Sequence, residues 1–206
     1  MNIDVAGVLI VFLVLLLSLT FHEAAHAWSA ERLGDPTARL LGRVSLNPVV
    51  HIDPIGTIVF PLIAMFTGFP LIGWAKPVPV DTRNLRQHWK QKYMLIAAAG
   101  PASNLILAAV AAVGVAVLGF ENAGQPVFEF FRWMVTINVL LAVFNMVPVP
   151  PLDGGNVLAG LLPGRAHDLF ETIRPWGFLI LYALLFSGLL FRIIGPVQDA
   201  IEGWLI

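Results

Sequence analysis

Five long apolar segments alternate with short polar stretches along the chain. The apolar segments run from about Ile3 to Ala30, Ile52 to Trp74, Tyr93 to Phe120, Phe128 to Val149 and Pro175 to Ile194. A helix needs about 20 mostly apolar residues to cross the hydrocarbon core of a bilayer. The pattern therefore predicts a bundle of membrane-spanning helices. The polar stretches between them are too short to form a second folded domain.

The amino-acid composition also indicates a membrane protein and excludes several kinds of functional site. Hydrophobic residues make up 58% of the 206 residues and charged residues only 12%, whereas soluble domains are about 25% charged. The formal net charge of −1 gives no basic excess to bind nucleic acid. The chain has no cysteine, which excludes disulfides, thiolate nucleophiles and cysteine metal sites. We therefore expect an all-α integral membrane protein with one domain over residues 1–206.

The motif His22-Glu23-Ala24-Ala25-His26 lies near the end of the first apolar segment. Residues four apart share one face of a helix, so His22 and His26 can bind one metal ion with Glu23 beside them. This is the H-E-x-x-H arrangement of zinc hydrolases. An ionisable side chain inside a membrane costs at least about 2.5 kcal/mol. Three of them within five positions favour a metal site over a chance match on a helix.

A catalytic zinc takes three protein ligands and keeps one position open for water. Asp153 is the best candidate for the third ligand, because few acidic residues lie near an apolar segment. It follows the fourth segment in a stretch whose prolines end the helix and whose Gly154 and Gly155 allow a tight turn. The alternative is an ordinary proline–glycine loop with Asp153 as a cap, which the pairing with the two histidines disfavours.

The sequence resembles the site-2 protease family of intramembrane zinc metalloproteases. That family pairs H-E-x-x-H on one transmembrane helix with an N-x-x-P-x-P-x-L-D-G type motif on a later one, which residues 145–154 match here. A third family feature, G-P-x-x-N, is matched by residues 100–104. The resemblance is closest to short prokaryotic members, because the chain has no room for a PDZ or CBS domain. It departs from some relatives in the extra apolar stretch Ile52–Trp74.

The resemblance implies one Zn²⁺ per chain, bound by His22, His26 and Asp153, with Glu23 as the catalytic base. It also implies a three-helix catalytic core. The activity it implies is regulated intramembrane proteolysis, the hydrolysis of peptide bonds in or near transmembrane segments. Zinc would activate a water molecule, and Glu23 would take the proton of this water and pass it to the leaving amine.

Two asparagines lie in or beside the apolar helices. Asn104 and Asn145 are candidates to hydrogen-bond the substrate backbone or a developing oxyanion. Hydrogen bonding between helices is the equally weighted alternative. Asn138 lies seven residues before Asn145, on the same helix face, and either lines the same interior or joins helices. His51, where the chain re-enters the apolar phase, is a weaker candidate for a contact with the site.

A substrate helix must unwind before it is cut, and an edge strand can receive the unwound chain by strand addition. Arg43–Asn47 and Ala75–Val80 are the two candidate short β-strands, expected at the cytoplasmic face. The alternative is that both are simple loops.

The second apolar segment is predicted to be re-entrant or hairpin-like. A shared zinc requires the end of the first segment and the end of the fourth to lie near one membrane face. A full crossing by Ile52–Trp74 would separate them by a hydrocarbon thickness of about 30 Å. Five prolines and glycines permit a turn in this segment: Pro54, Gly56, Pro61, Gly68 and Pro70. The remaining four segments would span the bilayer, with both termini outside.

The same topology collects ten of the twelve basic residues on one side, which predicts that this side is cytoplasmic. The ten are Arg32, Arg39, Arg43, Lys76, Arg83, Arg86, Lys90, Lys92, Arg165 and Arg174. We therefore expect a multi-pass protein of the cell membrane whose active site opens toward the cytoplasm.

Two other functions stay open from the sequence. A membrane metal-binding or transport protein would keep the metal site but has little need of Glu23, and no internal repeat is present. A catalytically silent, protease-like scaffold would have no need of all four residues. The expected partners are the lipid bilayer and a membrane-protein substrate with a transmembrane helix, with no nucleic acid. A homo-oligomer is left open.

Overall fold

The computed structural model describes residues 5–67 and 74–206. Nine α-helices lie within these residues: α1 (Val5–Arg32), α2 (Thr37–Leu40), α3 (Phe60–Thr67), α4 (Trp89–Ala123), α5 (Gln125–Asn145), α6 (Asp153–Leu161), α7 (Gly164–Ile173), α8 (Gly177–Phe186) and α9 (Leu189–Leu205). Short 3-10 turns cover Pro48–His51 and Arg174–Trp176, and a π-helical turn covers Pro54–Val59. The all-α prediction is confirmed.

Within the described residues, four helical stretches are long and apolar enough to cross a membrane. They are Val5–Arg32, Trp89–Leu118, Gln125–Asn145 and Gly164–Phe186, the last of which joins α7, a 3-10 turn and α8. The number agrees with the prediction, but the limits of the last span do not. The predicted segment Pro175–Ile194 is broken because Gly188 adopts a left-handed conformation with φ 72°, which ends α8 and starts the separate helix α9.

Helices α1, α4 and α5 form the core that supports the site. Their buried contact is made by Val14, Leu15 and Leu19 of α1, by Ala108, Ala111 and Ala112 of α4, and by Val135, Ile137 and Val139 of α5. The small alanines let α4 approach its neighbours closely, as is common where helices pack in a membrane. This arrangement is the three-helix core that the resemblance implied.

Helix α9 packs along α5 and covers the end of the core near the site. Its Leu190 and Ile194 share a buried cluster with Val147 and Leu152, which lie between α5 and α6. Its Ile201 packs farther along, against the core of α1, α4 and α5.

The two described ends of the second apolar segment lie next to each other, as the hairpin prediction requires. It starts at Asp53, whose carboxylate accepts hydrogen bonds from the amides of the π-helical turn. At its other end the Trp74 amide donates to the Gly56 carbonyl at 3.1 Å, and the Trp74 ring packs against Phe60. The tip of the segment, residues 68–73, lies outside the described residues.

The two basic loops that flank this segment meet directly. Asn84 donates to the Asp35 carboxylate at 2.8 Å, and the Asp81 amide donates to the other oxygen of that carboxylate at 2.8 Å. Burial raises the pKa of Asp35, but hydrogen bonds from Thr37, Asn84 and Asp81 outweigh it and lower the pKa. The anionic side chain therefore ties the two loops together on one side, as the topology argument predicted.

The two predicted β-strands are absent from the described part of the chain. Residues 44–46 form bends, and residues 43 and 47 on either side are irregular. Residues 74–80, called the strap below, are extended but bond to side chains and turns instead of to a neighbouring strand. The strap has few backbone donors for a pairing strand, because Pro77 and Pro79 have no N–H.

Candidate metal centre and catalytic site

The two histidines of the motif face each other across one turn of α1. Their Nε2 atoms are 3.0 Å apart, and both side chains are buried. The helix supplies this geometry without further help, because residues four apart lie one above the other on a helix face. One ion can therefore contact both rings.

Asp153 completes the group from another part of the chain. Its Oδ2 lies 3.1 Å from Nε2 of His22 and 3.3 Å from Nε2 of His26. This oxygen is buried and accepts no hydrogen bond from a described residue. Burial favours the neutral acid, but the positive charge that a protonated His26 would carry outweighs it and lowers the pKa of Asp153, so a neighbouring cation favours the carboxylate form.

The glycines after Asp153 allow its helix to begin against the preceding turn. A Cβ added at Gly154 would lie 2.3 Å from the Met146 carbonyl oxygen, and one added at Gly155 would lie 2.8 Å from the Pro150 nitrogen. Any larger residue would push α6 away from the end of α5. The glycines therefore serve close packing at the start of α6, whereas the sequence analysis assigned them to a tight turn.

Each histidine uses its Nδ1 atom to bind a carbonyl oxygen behind it. Nδ1 of His22 lies 2.6 Å from Oδ1 of Asn104, and Nδ1 of His26 lies 2.7 Å from the Ile96 carbonyl oxygen. A carbonyl oxygen only accepts, so each Nδ1 must carry the proton. In the neutral rings both Nε2 atoms then present lone pairs, the arrangement that metal-binding histidines adopt.

The predicted ligands therefore fit a cation on the geometry alone. Three lone-pair atoms, two nitrogens and one oxygen, lie within 4.8 Å of one another. Bringing them together is unfavourable unless a positive charge lies between them. A set of two histidines and one carboxylate suits zinc and leaves its fourth position for water.

Gly100 and Asn104 of the third motif lie on the face of α4 that touches the histidines. A Cβ added at Gly100 would lie 2.4 Å from Nε2 of His26 and 2.7 Å from Cε1 of His22. The glycine thus makes room for both rings. Asn104, one turn farther along, binds His22 from behind.

Asn104 also belongs to a buried polar chain that joins the three core helices. Its amide nitrogen donates to Oδ1 of Asn138 at 2.7 Å, and the amide of Asn138 donates to the Ser18 hydroxyl at 2.8 Å. Asn104 and Asn138 are fully buried. With both polar atoms of its side chain engaged, Asn104 lies behind His22, and its suggested contact with substrate stays a prediction.

The structure does not bring Asn145 to the metal ligands in the same way. It is the last residue of α5, and its amide donates to the Leu141 carbonyl of its own helix at 3.0 Å. Its suggested contact with substrate stays a prediction.

Glu23 lies beside the histidines and has one oxygen already bound. Its Oε2 accepts a hydrogen bond from the Val78 amide of the strap at 3.0 Å. The side chain is only 9% exposed. No pattern in the sequence indicates that the strap contacts Glu23, because no spacing rule connects residues 55 positions apart.

Similarity to known proteins agrees with this geometry. A sequence model described as Peptidase family M50 matches residues 120–188, which include Asn145 and Asp153. The Bacillus subtilis protein named "Putative zinc metalloprotease YwhC" is 35% identical over 194 residues, which cover 90% of this chain and 84% of that relative. The chain belongs to peptidase family M50. The resemblance to the site-2 protease family is thereby confirmed.

Further relatives of this M50 protein carry the same kind of name. The Mycolicibacterium smegmatis protein named "Putative zinc metalloprotease Rip2" is 31% identical over 180 residues, 86% of this chain and 66% of the relative. The Mycobacterium tuberculosis protein named "Putative zinc metalloprotease Rip3" is 28% identical, and the match covers 42% of its length. No solved structure matches the chain. Family membership and the four apolar helices make this protein a multi-pass membrane zinc metalloprotease.

Proposed function

We propose that this M50 protein is an intramembrane zinc endopeptidase of the site-2 type, which hydrolyses peptide bonds in or near the transmembrane segments of membrane proteins. The observation that carries the proposal is the convergence of His22, His26 and Asp153 beside Glu23. This group lies toward the end of an apolar helix long enough to cross a bilayer, where both a membrane-embedded peptide and water can reach it.

In the proposed hydrolysis, three of these residues bind zinc and Glu23 transfers a proton. His22, His26 and Asp153 would hold one zinc ion, which supplies Lewis-acid polarisation of the scissile carbonyl and activation of water. Glu23 accepts a proton from the attacking water as the new C–O bond forms. It then delivers this proton to the amine as the C–N bond breaks. Oε1 is the oxygen for this transfer, because Oε2 binds the Val78 amide.

The proposed partners follow from the membrane location. The substrate is a membrane protein with a transmembrane helix, which must unwind locally to present an extended peptide to the site. Asn145 is proposed to hydrogen-bond this peptide, because it ends α5 just before the turn that leads to Asp153. No nucleic acid is expected, and a homo-oligomer remains open.

Asn104 is proposed to act through His22. We expect Asn104→Ala to weaken zinc binding about 10- to 100-fold, the usual effect of removing a partner that orients a metal-bound histidine. Competition with a chelator of known affinity measures this in the purified protein. Ser103→Ala is the control, because Ser103 bonds only the Gly100 carbonyl of its own helix. Equal zinc affinity for wild type and Asn104→Ala would contradict the assignment.

The site is proposed to open toward the cytoplasm. The loops at Asp35 and Asn84 lie on one side and carry most of the basic residues, which favours the cytoplasmic side. The absence of cysteine allows single labels at exposed Arg86 and at exposed Gln125, the first residue of α5.

In intact cells we expect an impermeant thiol reagent to label Gln125→Cys and to leave Arg86→Cys unlabelled until the membrane is opened. The reverse pattern would invert the proposed orientation. Labelling of both positions from outside would contradict the topology.

Cleavage of purified single-span membrane proteins in detergent tests the function directly. We expect fragments that appear with zinc, disappear with a chelator and return when zinc is restored. A protein that binds zinc but cuts no member of a broad substrate panel would contradict the proposal.

A further inference from the structure

Arg43 is a buried arginine outside the metal group. It is only 5% exposed, although burial of a charged group is costly unless the charge is paired. Gly42, with φ 68°, ends the turn after α2, and the Arg43 amide then donates to the Ala38 carbonyl at 2.8 Å. This turn directs the Arg43 side chain inward.

The guanidinium of Arg43 hydrogen-bonds to backbone carbonyls of the strap. Its Nη2 donates to the Lys76 carbonyl and also lies 3.4 Å from the Pro77 carbonyl oxygen. The strap is held from the same side by the His51 carbonyl, which accepts a hydrogen bond from the Lys76 amide at 2.9 Å. Residues 76 and 77 are therefore fixed next to the amide that reaches Glu23.

One peptide group of the strap lies between Arg43 and Glu23. The Pro77 carbonyl and the Val78 N–H belong to the same planar unit and point in opposite directions when the bond is trans. Arg43 contacts the carbonyl end, and Oε2 of Glu23 accepts from the N–H end at 3.0 Å. The positive guanidinium of Arg43, the dipole of the Pro77–Val78 peptide group and the negative carboxylate of Glu23 thus follow one another.

Electrostatics supports this order. Burial lowers the pKa of Arg43, and the charge of Glu23 opposes this shift without cancelling it, as expected for two opposite charges near each other. In a site shielded from water, groups linked by consecutive hydrogen bonds polarise one another, which strengthens each hydrogen bond. The carboxylate of Glu23 also loses rotational freedom, because one of its oxygens is fixed.

We propose that Arg43 is a positioning residue for peptide hydrolysis. It clamps the Pro77–Val78 peptide group so that the Val78 amide fixes Oε2 of Glu23 and leaves Oε1 to exchange the proton with water. The inference rests on the proposed protease function. It assigns a catalytic consequence to Arg43 and to a backbone amide that the motifs do not include.

The test removes each end of the clamp separately. Arg43→Gln keeps a donor but loses the charge, whereas Arg43→Lys keeps the charge. Val78→Pro removes the amide hydrogen and suits a segment that already has prolines on either side. Arg39→Gln is the control for loss of an arginine, because Arg39 is exposed and pairs with Glu31. Val80→Pro is the control for an added proline, since no described residue accepts a bond from its amide.

The measurement is of kcat and KM on a cleaved substrate, with kcat expressed per bound zinc. Val78→Pro and Arg43→Gln should lower kcat about 10- to 100-fold, the usual effect of losing a hydrogen bond to a charged group. KM and zinc content should stay near the wild-type values. Arg43→Lys should recover part of kcat, and both controls should keep it within about twofold.

Each outcome decides the question. Wild-type or higher kcat in Val78→Pro would overturn the proposal, as would a loss in Arg43→Gln that parallels loss of zinc. A drop in kcat alone in both variants, with partial rescue by lysine, would support it. If the wild-type protein cuts no substrate, the proposed function fails. If wild type cuts and the clamp variants cut equally well, only the present inference fails.

Discussion

Glu23→Gln should abolish peptide hydrolysis and leave zinc binding intact. Gln has the same shape as Glu and can still accept a hydrogen bond from the Val78 amide, but it cannot take a proton from water. Loss of a general base lowers the rate about 10²- to 10⁴-fold. The proposed metal ligands His22, His26 and Asp153 are unchanged in this variant.

Two measurements on the same purified sample check this prediction. Cleavage of a single-span membrane substrate is followed by gel or mass spectrometry, and zinc is counted per chain by elemental analysis. Glu31→Gln is a matched control, since Glu31 lies on α1 and pairs with Arg39 away from the metal group. Full activity in Glu23→Gln would exclude the general-base role. A transport protein or a silent scaffold would not respond to this change.

Asp153→Ala should lose both zinc and activity. The third ligand atom disappears and only two histidines remain, one fewer than a catalytic zinc site uses. We expect zinc affinity to fall more than about 100-fold, beyond the effect of removing a partner behind a ligand. Asp153→Asn should be similarly impaired in zinc binding, because it keeps the shape and removes the negative charge.

The control is Asp168→Ala, an exposed acidic residue on α7. It should bind zinc and cut substrate as wild type does. Zinc titration measures the affinity for zinc, and cleavage at saturating zinc then shows whether the zinc-loaded variant can still hydrolyse the peptide. Full zinc content and activity in Asp153→Ala would show that another residue completes the site.

The local features of the site were predictable because they depend on short spacings. The four-residue separation of His22 and His26 fixes them on one helix face, and their Nε2 atoms indeed converge. The turn of the second apolar segment was predictable from segment lengths, from the basic loops and from the need to bring Asp153 to the depth of the histidines. Contact between Asp35 and Asn84 agrees with it.

Other predictions failed where the deciding contact is distant in sequence. The strap reads as a possible strand, but its partners are His51, Arg43 and Glu23 instead of a neighbouring strand. The last span ends early at Gly188, since a single glycine in an apolar run does not by itself reveal a left-handed turn.

The sequence by itself determined the class of this protein and the chemistry of its metal group. Apolar segments of membrane length follow from composition alone. The H-E-x-x-H spacing and the proline–glycine stretch that leads into α6 each act within a few residues, where local geometry is fixed. Only the tertiary structure decided what Asn104, Arg43 and the Val78 amide do. Their partners are dozens of residues away, and such pairings depend on how whole helices and loops pack, which no local pattern records.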